Sequence, residues 1–465
     1  MISLKQKASP EGQNTYFYLS KHQYNKSINI ILGCDEMSGK AAERMHISLA
    51  SPFILKMWII IFLVEFVKGS LLVALLPVYM ENILGLSVTV VGFAFALQYL
   101  GDNLFRSPFG WVMERIGYRW TMTGALLLLL VAVGLIIYAK DAVSLSLACL
   151  ILGIGTSPLW PCTMTGITEL AGSTQSGSSG AAMGAVEMAS LAGTGVGPII
   201  VNFMMDHGGQ GYRTVFLVLM GFAAAVVAVA LFLPSKIGGH APRVVREISA
   251  EGPPVPRKPV RPLESLKRTW QQVTSSLKVS RLLFPALFLQ AFAIGLMTPV
   301  VTLFARSELH VTPNQFSLLL IAGGGITVLT LIPAGKLVDK VGTSIFLNIG
   351  FLLAACSMAF FSQVRWLPLA FVAVALVGIS YALILPAWNA FLAKQVPEGE
   401  RGTVWGLFLT LQGSGMVAGP VVSGKLWDTV SHGAPFLASA GVMVVLFGLH
   451  LLIVHRTKLK HGRAH

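Results

Sequence analysis

The chain has 465 residues, of which 54% are hydrophobic and only 12% charged, and its mean hydropathy is +0.71. Soluble domains carry about 25% charged residues, so this chain lacks the surface that a soluble enzyme, a coiled coil or a disordered protein would need. The net charge of +14, with Lys+Arg 34 against Asp+Glu 20, would suggest nucleic acid in a soluble protein, but in a membrane protein it must first be mapped onto topology.

Residues 1–50 are polar, with no apolar run of the signal-peptide kind, and read as a cytoplasmic N-terminal extension. A bilayer-crossing helix needs about 20 apolar residues, and twelve such stretches follow. The first six lie roughly at 57–80, 87–109, 120–139, 142–164, 179–205 and 213–233, and predict a six-helix bundle over 51–233. Residues 234–281 are polar and contain GPPVPRKPVRP, which reads as an extended cytoplasmic linker. Six more stretches, roughly 282–304, 315–338, 344–363, 367–392, 403–427 and 434–455, predict a second bundle over 282–455, and 456–465 form a basic tail. The expected fold is an all-α integral membrane protein of twelve helices.

The basic residues sort onto one side. Seven lie up to Lys56, two in the loop with Arg115 and Arg119, and ten between Lys236 and Arg281. Lys336 and Lys340, Lys394 and Arg401, and four from Arg456 onward bring that side to 27. The other side has five, and Lys68 and Arg106 fall within spans. The positive-inside rule then puts both termini and the linker in the cytoplasm, and nucleic acid is not needed to explain the charge. Cys34, Cys149, Cys162 and Cys356 show no CxxC spacing, and no metal, disulfide framework or cofactor is expected.

The halves echo each other. GWVMERIG begins at Gly110 and GKLVDKVG at Gly335; Gly153-Ile154 recurs as Gly378-Ile379; Gly197-Pro198 recurs as Gly419-Pro420; Pro77 recurs as Pro299. Matches in the same order at a nearly fixed offset mark an internal duplication. Six spans per unit is even, so the repeats are parallel.

The doubled G-x-x-x-[DE]-[RK]-x-G resembles the signature of the major facilitator superfamily, and the resemblance covers all twelve spans. It implies two bundles rocking about a central cavity. Gly110, Glu114 and Arg115 in one loop, and Gly335, Asp339 and Lys340 in the other, are the expected cytoplasmic gate: glycines for tight turns and close helix approach, charges to bridge helix ends. Glu114 stands where the family usually has Asp. Gly193, Gly195, Gly197 and Pro198 resemble the fifth-span motif of the family's antiporters, but Gly415, Gly419 and Pro420 repeat the pattern in the other half, which favours a packing role. Cys149 stands where drug antiporters often carry an arginine.

Ionisable groups within spans are costly, about 2.5–3.5 kcal/mol each on insertion scales, so each needs a reason. Glu65 and Lys68 are three apart on one helix face and read as an ion pair. Asp102, on the next span, should lie at similar depth, and carboxyls held there can exchange protons near neutral pH. Glu187 is a further candidate, and Arg106 reads as an anchor or gate partner. The second half offers only neutral groups at depth: Gln290, Trp388, Asn389 and Gln412. Trp160 and Trp388, at equivalent points after a proline, could stack on a sugar ring or line a tail-binding side. A cavity charged on one wall and apolar on the other suits an amphiphile.

FLVEFVKG, GIGTSPLW, LLFPALFLQ, LPAWNAF and WGLFLTLQGSGMVAGP are similar to the lipoteichoic-acid glycolipid flippases of that superfamily. This resemblance implies proton-coupled movement of a diglucosyl-diacylglycerol anchor from the inner to the outer leaflet of a bacterial cell membrane. It implies roles for Glu65, Lys68, Asp102 and Trp160, with the glycolipid and protons as ligands. It also implies function as a monomer, with lipid-synthesis enzymes as associates. Lys68 stands where the branch tends to have Arg, which alone makes planar bidentate contacts. The competing reading is a proton-coupled small-molecule efflux antiporter. An enzyme is not expected, since HExxH, GxSxG and Walker A motifs are all missing from the sequence.

Overall fold

A computed structural model describes residues 51–173, 179–207, 212–235, 282–395 and 401–462. The predicted N-terminal extension, nearly all of the linker and the end of the tail lie outside the described residues, as does the side chain of Asp339. All regular structure among the described residues is helical. The first helix, α1 (Pro52–Gly69), runs on to Ile83 through two widened π-helical stretches on either side of Pro77. Then come α2 (Val88–Tyr138), α3 (Ala142–Thr156), α4 (Leu159–Ser173), α5 (Ser179–His207) and α6 (Tyr212–Leu231). The second half comprises α7 (Leu283–Met297), α8 (Val301–Ser307), α9 (Pro313–Val341), α10 (Thr343–Gln363), α11 (Leu367–Gln395), α12 (Arg401–Thr429) and α13 (Ala434–Gly462).

Among the described residues, ten helical segments are long and apolar enough to cross a membrane. The prediction of twelve differs at two places. Two expected spans run together in the 51-residue α2, which turns sharply at Gly117 (φ 83°, ψ 174°). The other place is α12, which is not among the ten. The repeated eight-residue motifs are therefore not loops. Each continues its helix, and only the last glycine turns the chain: Gly117 in α2 and Gly342 (φ 102°) between α9 and α10. These dihedrals lie where essentially only glycine is at ease. The leading glycines, Gly110 and Gly335, stand in open space.

The duplication is visible in the packing. A Cβ on Gly193 would meet the Phe62 carbonyl at 2.4 Å, and one on Gly415 the Phe288 carbonyl at 2.3 Å. A Cβ on Gly153 would sit 2.0 Å from the Gln98 carbonyl, and one on Gly378 2.5 Å from that of Gly323. Small residues thus let α5 meet α1 and α12 meet α7 at backbone distance, the usual source of helix association in lipid. Gly195, in contrast, faces open space.

Each half has its own apolar core, one from Phe53 to Leu233 and one from Leu283 to Ile453. A third cluster joins Val78 and Val88 to second-half residues such as Phe304, Trp427 and Phe436, at the end opposite the repeated motifs. Proline chemistry contributes there. Pro77 has no N–H for the Val73 carbonyl, and the Thr302 hydroxyl from the other half donates to it instead. Contact between the halves continues along α2 and α12, where a Cβ on Gly92 would meet the Pro420 carbonyl at 2.1 Å and one on Gly413 the Asn103 side chain at 2.2 Å.

Candidate functional site

The charged residues predicted in the first half do come together. Lys68 Nζ donates to Glu65 Oε1 at 2.8 Å, the i,i+3 pair expected from spacing, and the Glu65 side chain is 6% exposed. Thr194 of α5 donates its hydroxyl to the second carboxylate oxygen of Glu65 at 3.3 Å, because Gly193 and Gly197 let α5 approach α1 so closely. Asp102 is buried and accepts from Arg106 Nη2 at 2.9 Å, one turn away. It lies within electrostatic reach of Lys68, as does Tyr99. Glu187 is exposed and within electrostatic reach of Glu65. Paired buried charges are tolerated where single ones are not, and removing one partner typically costs about 3–5 kcal/mol.

The second half presents a different wall. A cavity of about 310 Å³ opens inside it, with Ala293 and Met297 of α7, Gly323 and Thr327 of α9, and Val377 and Tyr381 of α11 among its lining, which is almost wholly apolar. Tyr381 lies within electrostatic reach of Glu187 across the boundary. It therefore both lines the apolar cavity and lies within reach of a first-half carboxylate. Nothing in the sequence marks Tyr381 as special; its position emerges only when the halves are assembled.

The remaining predicted residues scatter. Gln290 and Gln412 pair at 3.4 Å. Asn389 is exposed. Trp388 is 3% exposed, wedged edge-on to Phe351 and beside Phe391 in the second-half core, its Nε1 without a partner among the described residues. Trp160 is half-buried against the first-half core. At the motif end, Glu114, Lys336 and Lys340 are exposed. Arg115 lies over the Trp111 ring at 3.7 Å rather than on a carboxylate.

Two stretches of the chain, 57–284 and 283–464, match the model of the Major Facilitator Superfamily. The chain belongs to the major facilitator superfamily. It is therefore a multi-pass membrane transporter of all-helical, duplicated architecture. Among its relatives is the proton-coupled antiporter flippase LtaA of Staphylococcus aureus (strain USA300), 24% identical over 412 residues, covering 87% of this chain and 96% of that protein. Solved superfamily structures share the fold. The nucleoside transporter NupG superposes with a TM-score of 0.67 at 16% identity, covering 87% of this chain and 99% of that one. A bacterial homologue of the human lysosomal transporter Spinster, inward-facing and unoccupied, superposes with a TM-score of 0.65 at 16% identity, covering 88% and 98%.

Proposed function

We propose that this transporter is a proton-coupled flippase for a glycolipid of the diglucosyl-diacylglycerol type, moving it from the inner to the outer leaflet of a bacterial plasma membrane. One observation carries the reading. The charged cluster of Glu65, Lys68, Asp102 and Arg106 belongs entirely to the first half, and the apolar cavity entirely to the second, with Glu187 and Tyr381 at their junction. A sugar headgroup needs hydrogen-bonding partners and a chain needs greasy walls, and here one half supplies each. The similarity to a proton-coupled antiporter flippase across most of the chain supports the same assignment.

In this reading the motif end faces the cytoplasm and both termini lie there. The headgroup enters from that side and takes hydroxyl contacts from Lys68 and the carboxylates. Protonation of Glu65 or Asp102 weakens its pair with Lys68 or Arg106, and so changes which arrangement of the halves is favoured. The lipid chain stays in apolar surroundings throughout. The protein acts as a monomer, close to the enzymes that make its lipid.

The test is a dithionite-protection assay in proteoliposomes with a fluorescent diglucosyl lipid and an imposed pH gradient. Glu65→Gln/Asp102→Asn should slow lipid movement at least about tenfold, the factor that ~1.4 kcal/mol of lost coupling gives. Equal rates for this variant and the wild type would show that the charged cluster does not couple transport. Proton-linked export of a small lipophilic compound with no lipid movement would instead establish the efflux reading.

A further inference from the structure

The helix α2 begins without a cap of its own. Ser87 occupies the N-cap position with extended backbone (φ −61°, ψ 151°), but its side chain makes no capping bond. The first amides of a helix have no acceptor within it, and here they find one on the other half of the protein. Val88 N donates to Asp428 Oδ1 at 3.2 Å, Thr89 N to Asp428 Oδ2 at 2.8 Å, and the Thr89 hydroxyl to the same oxygen at 2.7 Å. Asp428 lies in the last turn of α12, some 340 residues away along the chain. A carboxylate at a helix N-terminus gains from the helix dipole and from charge-assisted bonds.

The surroundings show what this contact does. A Cβ on Gly424, one turn before Asp428, would meet the Val88 carbonyl at 2.3 Å, so the two backbones are pressed together. Glu81 lies within electrostatic reach of Asp428 and His432. His432 stacks on Trp427 and contacts Glu308, which pairs with Arg365 at 3.0 Å, while Lys425 is exposed one turn back. The other helices capped by their own side chains, such as α3 by Asp141 and α9 by Thr312, have no need of a distant partner.

We propose that Asp428 is a cross-half latch: by capping α2 in place of Ser87, it holds shut the end of the transporter opposite the repeated motifs. Opening that end separates α2 from α12 and strips the amides of Val88 and Thr89 of their acceptor. The cap is therefore made in only one of the two arrangements that alternating access requires, and it biases the equilibrium toward that one.

Spin labels at Ile83 and Val430, which are 54% and 68% exposed on the two halves at this end, would report the separation by double electron–electron resonance. The full chain would be used in lipid nanodiscs, with Cys34 and Cys356 replaced by serine. Asp428→Ala should lower the closed-to-open ratio about five- to tenfold, as expected for a lost cap. Asp428→Asn, which keeps the shape and one acceptor without the charge, should fall between. Adding Ser87→Asp to Asp428→Ala separates latch from simple capping. The new cap should restore the thermal midpoint while the open population persists. Wild-type distances in both Asp428 variants would overturn the proposal. So would a return to the closed population in the Ser87→Asp/Asp428→Ala double variant, which would make the contact helix stabilisation and nothing more.

Discussion

The two copies of the repeated motif turn the chain in the same way but are held differently. In the first copy, Gly117 lies against the segment that follows α6: a Cβ there would meet the Ser235 carbonyl at 2.0 Å, and Tyr118 N donates to that same oxygen at 3.0 Å. Arg119 Nε donates to the Leu233 carbonyl at 3.1 Å, and Lys56 Nζ to that of Phe232 at 2.7 Å. Three donors, two basic side chains and one backbone amide, thus hold the carbonyls of the short segment that follows α6. In the second copy, Gly342 has nothing within 4 Å of where a Cβ would be. A duplicated sequence therefore preserved the backbone turn, while the surroundings diverged. Among the described residues, the first turn is clamped to the start of the linker and the second is not.

Substitutions can break this contrast. Gly117→Ala carries the largest expected effect, because a strained dihedral adds to a clash with backbone that cannot swing aside. Strain alone is about 1–3 kcal/mol, so Gly342→Ala should cost that much and Gly117→Ala distinctly more. Thermal unfolding of the two variants in detergent checks the order, and equal losses would mean that the clamp at Ser235 contributes nothing. Arg119→Met should cost about 1 kcal/mol, the usual net value of a hydrogen bond, by removing the contact to Leu233 while leaving the glycine turn intact. The same measurement reads it, and a loss as large as that of Gly117→Ala would make the side chain, not the turn, the main clamp.

The smallest effect concerns another inequality between the halves. Asp141 caps α3 through the amides of Val143 and Ser144, both at 2.9 Å, whereas Trp366 stands at the equivalent place before α11. The Ser144 amide and hydroxyl, with the Val143 amide, hold the Asp141 carboxyl below its ordinary range. A carboxyl depressed in the folded state contributes stability above its unfolded titration range, and loses it as pH falls through the folded one. Asp141→Ala should therefore lower the thermal midpoint slightly at pH 7, and the difference should vanish in strong acid. A difference that persists there would show that the charge is not responsible.

Much of the architecture was legible in the residues. The offset between Gly153 and Gly378, or between Gly197 and Gly419, predicts a duplicated bundle, and all four glycines prove to be points of backbone contact. Such contacts leave a sequence signal because only a missing side chain permits them. The Glu65–Lys68 pair was legible for a similar reason, since helical spacing alone brings the two together. The number of spans was harder. Apolar length does not record whether a motif continues its helix, as GWVMERIG does, or interrupts it. The place of Trp388 after a proline predicts a cavity residue, yet it packs among Phe351 and Phe391, because which face of a helix meets a core depends on its neighbours.

Membrane class, duplication and the location of the buried charges are written along the chain, since these follow from composition, periodicity and i,i+3 spacing along single helices. The assembly of the helices alone sets that the cavity-lining Tyr381 lies within reach of Glu187, that the segment after α6 clamps the first turn, and that α2 takes its cap from Asp428. Each of these joins residues far apart along the chain, and no local propensity encodes which helix will arrive beside which.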